Sequence, residues 1–173
     1  IENNDSIIAI VDKESKTIYR SPSAERLTGW TFEDVEDTSA FERIHPDDRE
    51  KALKVYSFAM ANPGAPFKIA LRVKHKDGRY LWLDGIVTNL FNEPNVGGML
   101  TNFKDISDIK EVEEELEKNE KRFRTLVDKA EDIISLVDEK GKVIYVSPAF
   151  ERATGFPVDY MIGRINTEIM HPD

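Results

Sequence analysis

The sequence contains no cysteine. That one absence removes disulfides, zinc–thiolate sites and cysteine nucleophiles together, and it fits a reducing, cytoplasmic compartment. No apolar run approaches the roughly 18 residues that a membrane-spanning helix requires, so no membrane contact is expected. Nothing at the start resembles a signal peptide, and the first residue is Ile1. Cations are in the minority. Twenty-four lysines and arginines face 33 aspartates and glutamates, a net charge of −9, with no local basic stripe. Such a chain repels a phosphate backbone, which argues against nucleic acid as a partner. Against these absences stands an ordinary 40% of hydrophobic residues among 173, enough for one large domain or two small ones.

The strongest internal signal is a repeat. Residues 5–47 and 131–173 align without a gap, with 17 of 43 pairs identical, among them Asp12/Asp138, Tyr19/Tyr145, Ser21/Ser147, Pro22/Pro148, Thr28/Thr154 and Gly29/Gly155. The spacing exceeds a solenoid unit and matches a small domain plus a linker. Copy one continues past His45-Pro46-Asp47, whereas copy two ends at His171-Pro172-Asp173. The expectation is therefore a tandem array cut at both ends, holding one complete domain and the N-terminal half of a second.

Within copy one, the β-branched runs 7–12 and 16–21 flank a polar turn and read as a hairpin. Ser21-Pro22 reads as the N-cap and first residue of a short helix that stops at Gly29. A further helical turn is expected through "FEDV". Pro46 opens a longer helix with Asp47 and Asp48 at its positive end. Its apolar stripe is expected to be Leu53, Tyr56 and Met60. Strands follow at 67–74, 79–91 and 96–103, the first two joined through Asp77-Gly78, a hairpin turn. This order makes an α+β domain with helices over one face of an antiparallel sheet.

From Asp105 the period changes. Ile109, Leu116, Phe123 and Ala130 are seven apart, and Val112, Asn119 and Leu126 follow each of the first three by three. That is an a/d seam over roughly three heptads. It predicts a helix over 107–130 that pairs in parallel with a second copy of the chain, with Asn119 helping to set register. An amphipathic helix packed on its own domain is the other reading.

The strand pair, "SPSAERLTGW", "IHPDDRE", "HKDGRYLWLDG" and the closing "NFKDIS", in this order and spacing, resemble the PAS sensor family. The resemblance covers residues 5–109 in full and 131–173 as half of a second domain, which divides the chain into a first domain 5–106, a linker 107–130 and the half domain 131–173. One departure is Asp37, where copy two has Gly163 and the family usually has glycine. The resemblance implies a five-stranded antiparallel sheet with a pocket between its inner face and short helices. It also implies sensing, as the input region of a prokaryotic signalling protein such as a histidine kinase whose output domain lies elsewhere in the chain. A ligand-free dimerisation or spacer module, and the input region of a diguanylate cyclase or phosphodiesterase, are the alternatives.

Several chemistries drop out. Flavin adducts and thioester chromophores of such sensors need cysteine. Haem is not expected, because His45 and His171 sit at helix starts where capping or packing accounts for them, and His75 lies by a turn, where solvent exposure is expected. A metal at His45, Asp47 and Asp48 is not expected either, since acids in a first helical turn serve the dipole. Ser21 and Ser147 read as caps, so no enzyme activity is expected and no cofactor is assigned, although an unidentified small ligand fits the reading. By resemblance, the odd positions of the fourth strand face inward. The candidate pocket is then Tyr56, Leu81, Leu83, Asn89, Met99, Thr101 and Phe103, either filled by its own side chains or open to a ligand. Tyr80, Trp82 and Ile86 face outward and call for a cover, by a helix or a second subunit. A homodimer through this sheet face and the helix seam Ile109, Val112, Leu116, Asn119, Phe123 and Leu126 is expected. Asp105, Ile106 and Ser107 match the family's junction between last strand and linker, the place for signal coupling.

Overall fold

The computed structural model describes residues 6–165; residue 5 and the second His-Pro-Asp, 171–173, lie outside them. By contacts the chain divides into two compact units, Ile1–Val112 and Glu113–Asp173.

In the first unit, β1 (Ser6–Val11) and β2 (Thr17–Arg20) form the hairpin. Asp12 fixes its turn by accepting the N–H groups of Glu14 and Lys16 on one carboxylate oxygen. The chain then enters α1 (Pro22–Thr28), capped by the Ser21 hydroxyl and ended at Gly29, φ +72°. Ser21 Oγ also accepts from Ile8 N–H, so one side chain caps the helix and pins it to β1. The "FEDV" stretch is not helical. It forms hydrogen-bonded turns in which Thr31 and Asp34 satisfy each other's backbone, and the helical turn lies further on, as a 3₁₀ segment, Ala40–Arg43. Ser15 is the sole non-glycine residue at positive φ among those described, so Asp37 stays out of the left-handed region that Gly163 adopts at φ +81°.

Helix α2 (Pro46–Ala61) begins where proline and the two aspartates place it. Its core face differs from the expected stripe. Ala52 and Ala59 are buried, with Val55 and Tyr56 half-buried beside them, while Leu53 and Met60 are exposed. Alanines let the helix approach the sheet closely, and the larger side chains sit on the far side.

Strands β3 (Pro66–Lys74), β4 (Tyr80–Leu90) and β5 (Gly98–Asp105) complete an antiparallel sheet of order β2-β1-β5-β4-β3. The last strand thus lies at the centre, and helix α3 (Ser107–Lys129) leaves directly from it. Period-two alternation puts Leu81, Leu83, Val87 and Asn89 on the buried face and Tyr80 and Ile86 on the exposed one. At Gly85 β4 and β5 come so close that a Cβ would meet the carbonyl oxygen of Asn102 and the Cα of Phe103.

The second unit repeats the first corner with β6 (Ser135–Val137), β7 (Val143–Val146) and α4 (Ala149–Thr154). The reciprocal bonds between Ile8 and Ser21 recur between Ile134 and Ser147, and Gly155 ends α4 as Gly29 ends α1. Its core is Val143, Val146, Phe150 and Met161, while Leu136, Val137 and Ile144 remain exposed.

Candidate functional site

Between the inner face of the five-stranded sheet and the segment from α1 to α2 lies a cavity of about 150 Å³. Its walls are mostly aliphatic and aromatic: Val11 from β1, Ala52 and Tyr56 from α2, Leu71 from β3, Val87 from β4, Met99 and Phe103 from β5. Five of the seven residues expected from sequence line it, namely Tyr56, Leu83, Met99, Thr101 and Phe103. Leu81 does not; it packs with Ile7, Ala24 and Leu83 in a separate part of the core. Asn89 does not either. Its side-chain nitrogen donates to Met60 O and its oxygen accepts from Phe91 N–H, so it ties α2 to the end of β4 away from the cavity wall. Thr101 donates to Ala9 O across the sheet.

The polar lining is supplied instead by residues the sequence reading passed over, chiefly Arg20, Arg43, Thr28 and Trp30, with Ser15 and Thr17. Arg20 Nη2 donates to Thr28 Oγ1 at 2.7 Å and to Ala24 O at 3.0 Å, and Arg43 Nη1 donates to Thr38 Oγ1 at 2.7 Å. Trp30 Nε1 donates to Lys74 O. Burial, reinforced by the charge of Arg43, pushes Arg20 down to about 10, and burial also lowers Arg43. Both stay cationic at neutral pH. Asp34 is held at about 2, chiefly by its hydrogen bond to Lys76 and then by the Thr31 N–H. The signal for the two arginines was present in the repeat: their counterparts at the same offset are Val146 and Ile169.

At the far end of β5 the three junction residues come together. Asp105 Oδ1 accepts both the backbone N–H (2.8 Å) and the hydroxyl (2.6 Å) of Ser107, whose Oγ accepts from Trp82 N–H on β4 at 2.9 Å. Ile106 N–H donates to Trp82 O and Ile106 O accepts from Lys110 N–H. The first turn of α3 is thereby fastened to two of the strands that wall the cavity, β4 and β5. On the outer face, Trp82 is half-buried between Arg72 (5.3 Å to the ring) and Lys110 (5.8 Å), so its own unit provides part of its cover. Tyr80 lies edge-on to His45 at 4.6 Å. Along α3, Ile109, Val112, Leu116, Phe123 and Leu126 are each more than half exposed, and Asn119 is exposed with them.

The histidines are accounted for locally. His45 Nδ1 accepts from Asp47 N–H as the N-cap of α2. His75 is not free in solvent as expected; its side chain is only 16% exposed, packed beneath Gly29 and bonded to Asp77. Asp48 is committed to Arg72, accepting from its backbone N–H, Nε and Nη2. Among the described residues no cluster of three or more His, Asp or Glu side chains could hold a metal, and no helix is long and apolar enough to cross a membrane.

Comparisons with known proteins agree with the fold. The sensor histidine kinase TmoS of Ectopseudomonas mendocina is 25% identical over 66% of this chain and 12% of its own length. The probable diguanylate cyclase DgcE of Escherichia coli K12 is 24% identical over 76% of this chain, again 12% of its own length. The chain spans 20% or less of the length of the curated relatives it matches. A crystal structure of a PAS domain from Colwellia psychrerythraea superposes with a TM-score of 0.54 at 23% identity, covering 61% of this chain and 89% of that one. Family models described as the PAS fold match residues 17–97 and 121–173, together well over half of the chain. The chain therefore belongs to the PAS fold family and carries PAS sensor regions of the kind found in signalling proteins.

Proposed function

We propose that the chain is the input and transmission module of a cytoplasmic prokaryotic signalling protein, most directly of a histidine kinase. Residues 5–106 sense, 107–130 transmit, and 131–173 begin a second PAS domain. The observation that carries this reading is the sharing of β4 and β5 between two sites. Their inner face walls the cavity, and Trp82 and Asp105 at one edge clamp the start of α3. A ligand that changes the spacing of these strands acts on the clamp without a longer relay, and transmission is then a coupling between two sites on one element. The exposed seam of α3 is completed by a second copy of the chain, because its apolar positions keep heptad spacing between charged neighbours.

The similarity to DgcE favours a cyclase as the alternative output. Native and denaturing mass spectrometry of the purified chain test the sensing reading. The expected result is a reproducible extra mass of small-molecule size that is present natively and lost on denaturation. A clean dimer without added mass, unchanged after incubation with a metabolite extract, would instead support a ligand-free dimerisation and spacer module.

A further inference from the structure

We infer that the cavity of the first unit takes a small organic carboxylate, its acidic group held by Arg20 and Arg43 and its apolar body set among Ile44, Leu71, Val87 and Met99. This rests on the sensing reading above and specifies the class of ligand.

The first support is chemical. Two guanidinium groups line one otherwise largely apolar cavity. Among the described residues no carboxylate forms an ion pair with either of them. Glu25 and Asp34 act on Arg20, and Glu42 on Arg43, only through their field. Asp34 is already bonded to Lys76 and Thr31. Arg20 Nε is buried and has no hydrogen-bond partner. Two half-buried cations that face one cavity without an acid cost a fold part of the desolvation penalty of a buried charge. A carboxylate supplies the missing charge and can accept two parallel N–H bonds from a guanidinium, which a neutral or ammonium ligand cannot do.

The second support is the repeat, which serves as an internal control. Copy two builds the same hairpin-to-helix corner, with the reciprocal Ile134–Ser147 bonds and the same left-handed glycine but without a side-chain cap on its helix. Where copy one has Arg20 and Arg43 it has Val146 and Ile169, and where copy one has Ser15 and Thr17 it has Gly141 and Val143. Val146 and Val143 are buried in its core. The corner therefore forms without a cation at the Arg20 position, so the hairpin-to-helix fold does not itself require that guanidinium. The third support is size. A cavity of about 150 Å³ holds a molecule near the bulk of benzene, so the body of the acid is a small ring or a short branched chain.

The test uses the Met99 methyl, fully buried on the cavity wall, as a ¹³C NMR reporter on the whole chain. Benzoate and 4-methylpentanoate are titrated against their neutral amides, with the Met60 and Met161 methyls as controls for the fold. Both acids are expected to shift Met99 saturably and to bind at least tenfold more tightly than the amides. Arg20→Val and Arg43→Ile, borrowed from copy two, are expected to weaken the acids at least tenfold more than they weaken the amides. Arg20→Lys, which keeps the charge without the fork, is expected to fall between. Equal binding of acids and amides, insensitive to the arginines, overturns the carboxylate assignment and leaves ligand sensing in place. A Met99 methyl silent to all four compounds overturns both.

Discussion

Asp48 is a case where one side chain orders two elements. It sits in the first turn of α2, where a carboxylate is favoured by the helix dipole, and reaches across to take three donors of Arg72 on β3. The Arg72 side-chain hydrogen bond holds its pKa at about 2. The folded-state value lies below that of the unfolded chain, so the stabilisation is complete above about pH 4 and is lost as the pH falls towards about 2. Arg72 is 26% exposed and shares Asp47, so solvent screening leaves about 1 kcal/mol for the pair. Urea unfolding near pH 5 and near pH 2.5 should show the native chain losing about 1 kcal/mol more than Asp48→Asn. Equal losses in the two proteins would remove Asp48 as the source. The candidate ligand arginines follow the opposite logic. They are charged throughout this range, and what they lack among the described residues is an acidic partner rather than a proton.

Among the elements, β5 and α3 form the pair on which transmission depends. Strand β5 starts and ends two residues later than the apolar run 96–103 suggested, because Lys104 pairs with both Ser6 and Asp84 and Asp105 pairs with Leu83. The helix then starts within the reach of β4. Asp105→Ala removes the acceptor of both Ser107 donors and frees the hydroxyl that accepts from Trp82. Hydrogen exchange in the first two turns of α3 should rise at least tenfold in this variant, while the amides of β1 and β4 keep their protection. Uniform acceleration throughout the first unit would mean that Asp105 supports the whole domain and is no specific clamp. Unchanged exchange in α3 would remove it from the coupling scheme.

At the scale of the molecule, the exposed a/d seam sets the expected assembly. Leu116 and Phe123 occupy successive a positions and are more than half exposed in the single chain. Sedimentation equilibrium should give a dimer for the native chain, and Leu116→Lys with Phe123→Glu should shift it to monomer without loss of helicity in the first unit. A native chain that remains monomeric at high concentration would assign the seam to another cover. The duplication also explains why one copy can differ from the other in its cavity. The corner is held by Ser21 or Ser147 and by a terminal glycine, which leaves positions such as Arg20 and Val146 free to diverge.

Local rules made much of the architecture legible from residues alone. Ser21-Pro22, Gly29, Pro46 and Asp77-Gly78 place element ends because caps and turns need particular backbone and side-chain chemistry within a few residues. Leu81, Leu83 and Val87 share the buried face because a strand alternates with period two. The repeat placed two similar corners in one chain because identical local bonds need nearly identical sequence. Folding settled what depends on distant partners. Ala52 and Ala59, not Leu53 and Met60, face the sheet, since closeness of approach is set by the surface opposite. Asn89 lies on the inner face yet is spent on Met60 and Phe91. Arg20 and Arg43 meet at one cavity although 23 positions separate them in sequence, because a hairpin strand and a 3₁₀ turn converge there. Periodicity reports which face a residue occupies, but the chemistry of a cavity is assembled across elements, and only the packed chain brings those elements together.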